Sequence, residues 1–242
     1  MSYDKSDKER VFRFKEFEVA HRSAAMKVGT DGVLLGAWAD TSSVGCIWDV
    51  GTGSGLIALM LAQRCPANII AIDIVDDAAA EAQQNVMASP WHDRIDIVAD
   101  DVFTCADRLP RPDLIVCNPP FFTESLHAPD IKRSIARHEG VLSLCSIIEL
   151  AARVLTDSGR IAMVGPTVRA DDVDWTATLA GLHIRRRVDV RTTMRKAPIR
   201  TLWEISRRHG VCEHRVESLR DAAGNWSEWY VALTRDYYTH LN

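Results

Sequence analysis

The residues of this chain best suited to chemistry form a short tetrapeptide that follows an apolar run. Residues 113–117 are Asp-Leu-Ile-Val-Cys, and Asn118, Pro119, Pro120 and Phe121 come directly after them. Because proline has a fixed φ and no N–H, the Pro-Pro pair presents its carbonyl oxygens rigidly. The amide oxygen of Asn118 and the carbonyl of Pro119 can both accept from one exocyclic NH₂ group, and Phe121 offers a flat face for stacking. The tetrapeptide predicts a pocket that holds a planar amine with its lone pair aimed at an electrophile.

A glycine-rich turn follows an earlier apolar run. Asp49 lies near the end of that run, and Gly51, Gly53 and Gly55 follow in a Gly-x-Gly-x-Gly pattern. The first two glycines can adopt backbone angles closed to other residues and let a ligand approach the main chain, and Gly55 permits close packing where the next helix begins. The Gly-x-Gly-x-x-Gly spacing, which holds a pyrophosphate at a helix N-terminus, is not the spacing of this turn. Asp49 would repel a pyrophosphate but attract an ammonium group, directly or through a water.

Two further carboxylates follow the next two apolar runs. Asp73 comes one helix and one strand after Asp49, where a carboxylate can accept hydrogen bonds from both hydroxyls of a ribose. Asp101 follows the third run, where it can accept from an adenine amino group, and Val102 can lie against the adenine ring. Ammonium, ribose and adenine are parts of S-adenosylmethionine (SAM). We therefore expect these residues to bind SAM, and we expect no metal ion.

Strand and helix patterns alternate along the chain, which predicts a parallel sheet covered on both faces. A final strand pair with no helix between its members predicts an antiparallel edge. We expect an α/β, Rossmann-like fold with a seven-stranded, mostly parallel sheet, an antiparallel edge strand and helices on both faces. In such sheets ligands bind beyond the carboxyl ends of the strands, where the strand order reverses. The predicted strands are residues 46–50, 68–72, 94–99, 113–117, 160–164, 182–190 and 201–207.

The bulk composition is that of an ordinary globular protein. The chain has 242 residues, 47% hydrophobic and 26% charged, which suits one α/β domain with small additions. No stretch approaches the ~18 uninterrupted apolar residues of a membrane span, and the polar N-terminus is unlike a secretory signal. Six cysteines occur without a Cys-x-x-Cys pair, which favours reduced thiols. We expect a cytoplasmic protein with no membrane partner.

Basic residues are concentrated late in a chain whose formal net charge is −4. Arg185, Arg186 and Arg187 are consecutive, and Arg195 and Lys196 follow them. A local basic face can hold phosphate on an acidic protein, because charges are screened beyond about 8–10 Å. A base that enters the predicted pocket must leave its stack, which is cheapest in an unpaired RNA loop. We predict these five residues as RNA contacts; a solvated surface is the alternative.

These motifs resemble those of the class I SAM-dependent methyltransferases of the Asn/Asp-Pro-Pro-Tyr/Phe type. Residues 26–38, Met-Lys-Val-Gly-Thr-Asp-Gly-Val-Leu-Leu-Gly-Ala-Trp, are similar to a segment of the bacterial tRNA1(Val) adenine-N6 methyltransferases, and the similarity runs from about residue 11 to the C-terminus. The resemblance implies methylation of the adenine N6 immediately 3′ of the anticodon in a valine tRNA. It implies that Lys27, Thr30 and Asp31 close over the methionine end of SAM.

The resemblance also implies a division of the chain and a set of roles. Residues 1–45 would form an extension that closes over the cofactor site, and residues 46–242 a methyltransferase domain that includes a C-terminal helix. No obligate protein partner is implied. SAM is assigned to Asp49, Gly51, Asp73 and Asp101, and the target base to residues 118–121.

Two departures from the family pattern leave other substrates open. Asp73 stands where Glu is common but keeps the pair of acceptor oxygens. Phe121 stands where Tyr is common, and Phe also occurs in guanine-N2 rRNA methyltransferases. The alternatives are guanine-N2 methylation of ribosomal RNA, glutamine-N5 methylation of a protein, and a catalytically silent module that binds SAM or RNA. The basic residues favour RNA over protein, and the intact tetrapeptide argues against a silent module.

Overall fold

Eight strands form the main sheet within residues 11–21, 28–120 and 142–240, which the computed structural model describes. They are β3 (Cys46–Val50), β4 (Asn68–Asp73), β5 (Ile95–Ala99), β6 (Leu114–Cys117), β7 (Arg160–Pro166), β8 (His183–Thr193), β9 (Arg200–Ser206) and β10 (Glu213–Arg220). Their spatial order is β10-β8-β9-β7-β6-β3-β4-β5, and each neighbouring pair is parallel except the two that involve β9. The expected α/β Rossmann-like class is confirmed.

The sheet differs in two details from the expected seven strands with an antiparallel edge. The antiparallel strand β9 lies inside the sheet, between β7 and β8. Three side chains of β9 are fully buried, namely Leu202, Trp203 and Ile205. Because β9 is more apolar than the arginine-rich β8, burial favours β9 for the interior position. The eighth strand, β10, pairs in parallel with β8 at the edge. Its sequence, Glu-His-Arg-Val-Glu-Ser-Leu-Arg, is too polar to predict a strand but suits an exposed edge.

Helices pack on both faces of the sheet, over two separate hydrophobic clusters. The helices are α1 (Thr30–Trp38), α2 (Leu56–Arg64), α3 (Asp76–Met87), α4 (Val102–Cys105), α5 (Leu144–Val154), α6 (Ala170–Leu179) and α7 (Glu228–Thr234). The first cluster includes α1, α2 and α7, and the second includes α4, α5 and α6. Local sequence sets where helices begin. For example, the hydroxyl of Ser143 accepts from the backbone N–H of Ser146, which caps α5.

The N-terminal hairpin and the C-terminal segment pack against each other. The hairpin consists of β1 (Val11–Arg13) and β2 (Glu18–Ala20). The Phe14 ring stacks on Phe17 with centroids 4.6 Å apart, and its backbone bridges to Tyr238. The backbone N–H of Lys15 donates to the carbonyl of Tyr237 at 2.8 Å. Residues far apart in sequence therefore complete one cluster over the first face of the sheet.

The strand order reverses between β3 and β6. From β3 the chain continues to β4 and β5 on one side, and from β6 it continues to β7 on the other. The carboxyl ends of these parallel strands lie along one edge, so a crevice opens at the β3–β6 boundary. None of the helices within the described ranges is long and apolar enough to cross a membrane.

Candidate active site

The glycine turn and the Asn-Pro-Pro turn lie side by side at this reversal point. Val50 pairs with Cys117 in the parallel register of β3 and β6, so Gly51 and Asn118 are the first residues past neighbouring strand ends. Both sequence motifs are thus brought to one place, as the strand pattern predicts.

The glycine turn requires left-handed backbone angles. Gly51, Gly53 and Gly55 have φ values of 71°, 57° and 80°, a region that side-chain-bearing residues rarely adopt. The backbone N–H groups of Gly51 and Thr52 donate to the carbonyl of Ile72 at 2.9 and 3.0 Å, which ties the turn to β4. A Cβ placed on Gly53 would meet no described atom within 4 Å, so this part of the turn faces open space.

Asp49 is a buried carboxylate with one oxygen available. Its side chain is enclosed at the end of β3, and Oδ2 accepts from the Thr52 hydroxyl at 2.6 Å and from the Ala58 N–H at 3.0 Å. Oδ1 is buried without a hydrogen-bond partner among the described residues. Burial raises the pKa of Asp49 to about 7, and the nearby carboxylate of Asp73 adds to the rise, against the two hydrogen bonds. A cationic group at Oδ1 would stabilise the charged form.

Asp73 connects the glycine turn to the end of β4. Its Oδ2 accepts from the Gly53 N–H at 2.8 Å, and its Oδ1 accepts from the Val75 N–H at 3.0 Å. A carboxylate has about four lone-pair sites, so both oxygens keep acceptor capacity. The side chain is half-buried and therefore accessible to a ligand.

Asp101 and Val102 lie at the start of α4, after β5. Asp101 caps this helix, because its Oδ1 accepts from the Phe103 N–H at 2.9 Å. The neighbouring Asp100 is turned to the surface, where it forms an ion pair with Arg108 at 2.7 Å. Val102 is only 5% exposed and packs in the second hydrophobic cluster. A role of Asp101 and Val102 at the adenine therefore remains a prediction.

Asn118 presents an unused acceptor at the reversal point. Its Oδ1 is buried and has no hydrogen-bond partner among the described residues. Pro119 is buried and Pro120 is exposed. A Cβ added to Gly32, in the first turn of α1, would lie 3.9 Å from Nδ2 of Asn118. Phe121, like Lys27, lies outside the described residues.

The first turn of α1 is held by an ion pair that the sequence did not reveal. Asp31 accepts from Nε of Arg200 at 2.7 Å, although 169 residues separate the two. Thr30 is exposed at the start of the helix. Thr52 was also missed as a contributor to the site, because a hydroxyl three residues after an aspartate is unremarkable in a sequence. In the sequence, the small residue Gly32 beside Asp31 was the one indication that this helix approaches the site closely.

The arginine run on β8 is engaged within the protein. Arg186 pairs with Glu204 at 2.9 Å, and its guanidinium lies 4.3 Å from the ring centroid of Trp38. Arg187 donates to both carboxylate oxygens of Asp189, at 3.0 and 3.1 Å. These contacts occupy the charged groups of two residues that were predicted to bind RNA.

The remaining predicted RNA contacts divide between two places. Arg185 precedes this pair on β8, its guanidinium lies against Gly210, and its Nη1 is buried without a hydrogen-bond partner among the described residues. Arg195 and Lys196 are exposed in the connection from β8 to β9. The structure therefore separates the predicted set into three residues on β8, two of them ion-paired, and an exposed pair in the connection to β9.

A sheet of this order, with a glycine turn beside an Asn-Pro-Pro turn at its reversal point, defines a class I methyltransferase. Residues 25–169 match the model of the methyltransferase small domain family. A solved structure of a predicted O-methyltransferase from Agrobacterium tumefaciens has the same fold, with a TM-score of 0.64 at 15% identity over 87% of this chain and 98% of that one. A ribosomal protein L11 methylase from Lactobacillus delbrueckii gives 0.54 at 20% identity, over 74% and 78%.

Curated relatives narrow the class to one family. A tRNA1(Val) (adenine(37)-N6)-methyltransferase of Bacteroides thetaiotaomicron is 43% identical over 95% of this chain and 98% of its own length. The enzyme of the same name from Klebsiella pneumoniae is 40% identical over 95% of both chains. The chain belongs to the tRNA1(Val) (adenine(37)-N6)-methyltransferase family.

Proposed function

We propose that this protein transfers a methyl group from SAM to N6 of adenine 37, next to the anticodon, in tRNA1(Val). The observation that carries the proposal is Oδ1 of Asn118, which is buried beside the glycine turn and has no hydrogen-bond partner among the described residues. An acceptor in this position suits an exocyclic amine. Family membership over nearly the whole chain supports adenine as the base. A tRNA substrate also supports the predicted cytoplasmic location.

The residues around the glycine turn fit SAM. Oδ1 of Asp49, which has no hydrogen-bond partner in the described ranges, suits the ammonium group of SAM. The open side of Gly53 leaves room for close approach to the backbone, and the spare lone pairs of Asp73 suit the ribose hydroxyls. Asp101 remains our candidate for the adenine amino group. When bound, SAM supplies an electrophilic methyl group.

The contribution of the chain to the reaction is mainly orientation. The lone pair of the adenine amine is conjugated with the ring, which makes N6 a weak nucleophile. Hydrogen bonds from this NH₂ to Oδ1 of Asn118 and to the carbonyl of Pro119 would favour a pyramidal nitrogen and aim it at the methyl carbon. The N–C bond forms as the S–C bond breaks, and the nitrogen becomes acidic and releases a proton to water. No strong proton acceptor is needed before the transfer. We propose that the target adenine stacks on the ring of Phe121.

We propose that the N-terminal extension, residues 1–45, covers the cofactor side of the crevice. The approach of Gly32 to Asn118 and the anchoring of Asp31 by Arg200 support this arrangement. In this arrangement the ion pair of Asp31 with Arg200 holds the first turn of α1 in place. Lys27 and Thr30 are the candidates for contact with the methionine end of SAM.

Guanine-N2 methylation is the second candidate, because guanine-N2 enzymes also have a phenylalanine at the position of Phe121. Nucleoside mass spectrometry of total tRNA and rRNA from a strain without this protein distinguishes the two. We expect loss of N6-methyladenosine from tRNA1(Val), restored by the wild-type gene but not by an Asn118→Ala gene. Loss of an N2-methylguanosine from rRNA with tRNA1(Val) unchanged would contradict the proposal.

Replacing Asp73 by alanine is expected to weaken SAM binding about 10- to 150-fold, because charge-assisted hydrogen bonds contribute about 1.5–3 kcal/mol. Isothermal titration calorimetry measures the Kd. Asp73→Glu is the matched control, since it keeps two acceptor oxygens, and its Kd should lie within about tenfold of wild type. Unchanged affinity in Asp73→Ala would remove this residue from the ribose site. A Tm measurement reports the accompanying loss of the bond to the Gly53 N–H.

A further inference from the structure

The connection between β8 and β9, residues 194–199 (the β8–β9 loop), lies at the same edge of the sheet as the candidate active site. β8 is antiparallel to β9, which is antiparallel to β7, so β8 runs in the direction of β7, β6 and β3. Its carboxyl end at Thr193 therefore lies along the edge that carries Asn118. Across the sheet the loop stands two to three strand spacings from β6, about 10–15 Å. Along the strands it lies further out, because Cys117 is level with Met163, Trp203 and Arg187, and Thr193 follows Arg187 by six residues, about 20 Å. The loop therefore projects beyond the site edge and stands several nucleotides from a base held at Asn118.

The base of this loop is tied to the walls of the site. The N–H of Thr167, after β7, donates to the carbonyl of Ile199 at 3.3 Å. The next residue, Arg200, holds Asp31 at 2.7 Å, and Asp31 adjoins Gly32, the neighbour of Asn118. The loop is thus a fixed rim of the crevice.

The loop combines two exposed cations with exposed apolar side chains. Arg195 and Lys196 are exposed, and neither forms an ion pair with any residue in the described ranges. Met194 and Ile199 flank them and are 55% and 54% exposed. Cations that face phosphates beside apolar groups that face bases or riboses are a pattern of single-stranded nucleic-acid binding.

The arginine run is a poorer candidate for the same task. Arg186 and Arg187 already pair with carboxylates. In the register of the sheet Arg187 is level with Cys117, three strands away. Phosphate contacts there would break internal ion pairs.

We propose that the β8–β9 loop binds nucleotides of the same RNA strand near the methylated adenine. Arg195 and Lys196 contact phosphates, and Met194 and Ile199 contact ribose or base faces. This inference rests on the proposed tRNA substrate. Of the two groups of basic residues in the sequence, it assigns RNA binding to the pair in the loop and not to the arginine run on β8. It also assigns RNA contacts to two apolar side chains, which the charge pattern does not indicate.

Charge reversal of the exposed pair, Arg195→Glu with Lys196→Glu, tests the phosphate contacts. With a tRNA1(Val) transcript, we expect KM to rise at least about tenfold while kcat stays within about twofold. The slope of log kcat/KM against log salt should become shallower by about 1.5, because two phosphate contacts are lost. The Kd for SAM and the Tm should not change. An unchanged KM and salt slope would overturn the proposal.

The apolar contacts need a separate variant. Met194→Ala with Ile199→Ala should raise KM for the transcript about three- to tenfold and leave the salt slope at its wild-type value. A wild-type KM would confine the inference to the two cations and overturn its apolar part.

The matched control reverses two exposed arginines outside the loop, Arg153→Glu on α5 with Arg215→Glu on β10. It changes the net charge equally, so a KM within about twofold of wild type supports a local contact. A rise equal to that of the loop variant would overturn the proposal in favour of general charge attraction. If the wild-type enzyme methylates no tRNA, the proposed function fails. If it does and the loop variant matches wild type, only the loop inference fails.

Discussion

Replacing Asn118 by alanine is expected to lower kcat for methyl transfer by at least about 10²–10³-fold while the Kd for SAM stays within about twofold. The variant removes an acceptor that orients the amine, and the loss of one preorganised polar group of this kind has effects of this size in other enzymes. Single-turnover transfer of labelled methyl to a tRNA1(Val) transcript measures the rate, and calorimetry measures the Kd.

The fold should tolerate this change. Oδ1 of Asn118 accepts no hydrogen bond from a described residue, so its removal breaks no bond of that oxygen and Tm should stay close to wild type. Asn118→Asp is the matched control, because it retains an acceptor oxygen and should keep measurable activity. A large loss of SAM affinity in Asn118→Ala would assign the residue to the cofactor instead.

Replacing Asp49 by asparagine is expected to stabilise the free protein at pH 8 and to weaken SAM binding by more than tenfold. The amide oxygen can still accept from Thr52 and Ala58, as Oδ2 does now, but the buried negative charge is gone. Thermal unfolding without ligand, measured at pH 5 and pH 8, and calorimetry with SAM test the two effects.

The sign of the pH effect follows from the raised pKa of Asp49. The pKa is about 7 in the folded protein and has an ordinary value of 3.8, so the folded state binds the proton more tightly. The free energy of unfolding therefore falls as pH rises from about 4 to 7. At pH 5 wild type and Asp49→Asn are both neutral at this position and should have similar Tm values. At pH 8 only wild type buries a charge, and the variant should melt higher.

Binding of SAM should depend on pH in the opposite sense. Protonation of Asp49 removes the attraction for an ammonium group, so the wild-type Kd should rise about tenfold or more between pH 7 and pH 5, where an α-amino group stays largely protonated. The Kd of Asp49→Asn should be nearly constant over this range. An equal pH dependence in both proteins would show that Asp49 does not face the ammonium group.

Local patterns in the sequence were sufficient to predict the core of the fold. The runs that end at Val50, Asp73 and Cys117 are short, apolar and closely followed by glycine, acid or proline, so strand identity and direction follow from the chain itself. The meeting of Asp49 and Asn118 then follows from parallel pairing. Side chains that act at strand ends are predictable because each carries its own local signal.

Features that depend on pairing between distant segments were not predictable. The interior place of β9 depends on competition between two strands for the middle of the sheet, and β10 forms because β8 offers an open edge. The ion pair between Asp31 and Arg200 joins residues that have no sequence relation. The ion pairs of Arg186 and Arg187 were not predictable for the same reason, because a run of arginines does not indicate which carboxylates will pair with it.

The contact between the hairpin and the C-terminal segment constrains the order of events during synthesis. Lys15 donates through its side chain to the carbonyl of Arg235, 220 positions later, and the backbone at Phe14 bridges to Tyr238. The hairpin cannot complete its docking until residues 235–238 have left the ribosome, at roughly 5–20 residues per second. The hairpin is translated long before this partner segment and is therefore among the last elements to reach its final position, so the nascent chain carries Phe14 and Phe17 without their final contacts for many seconds.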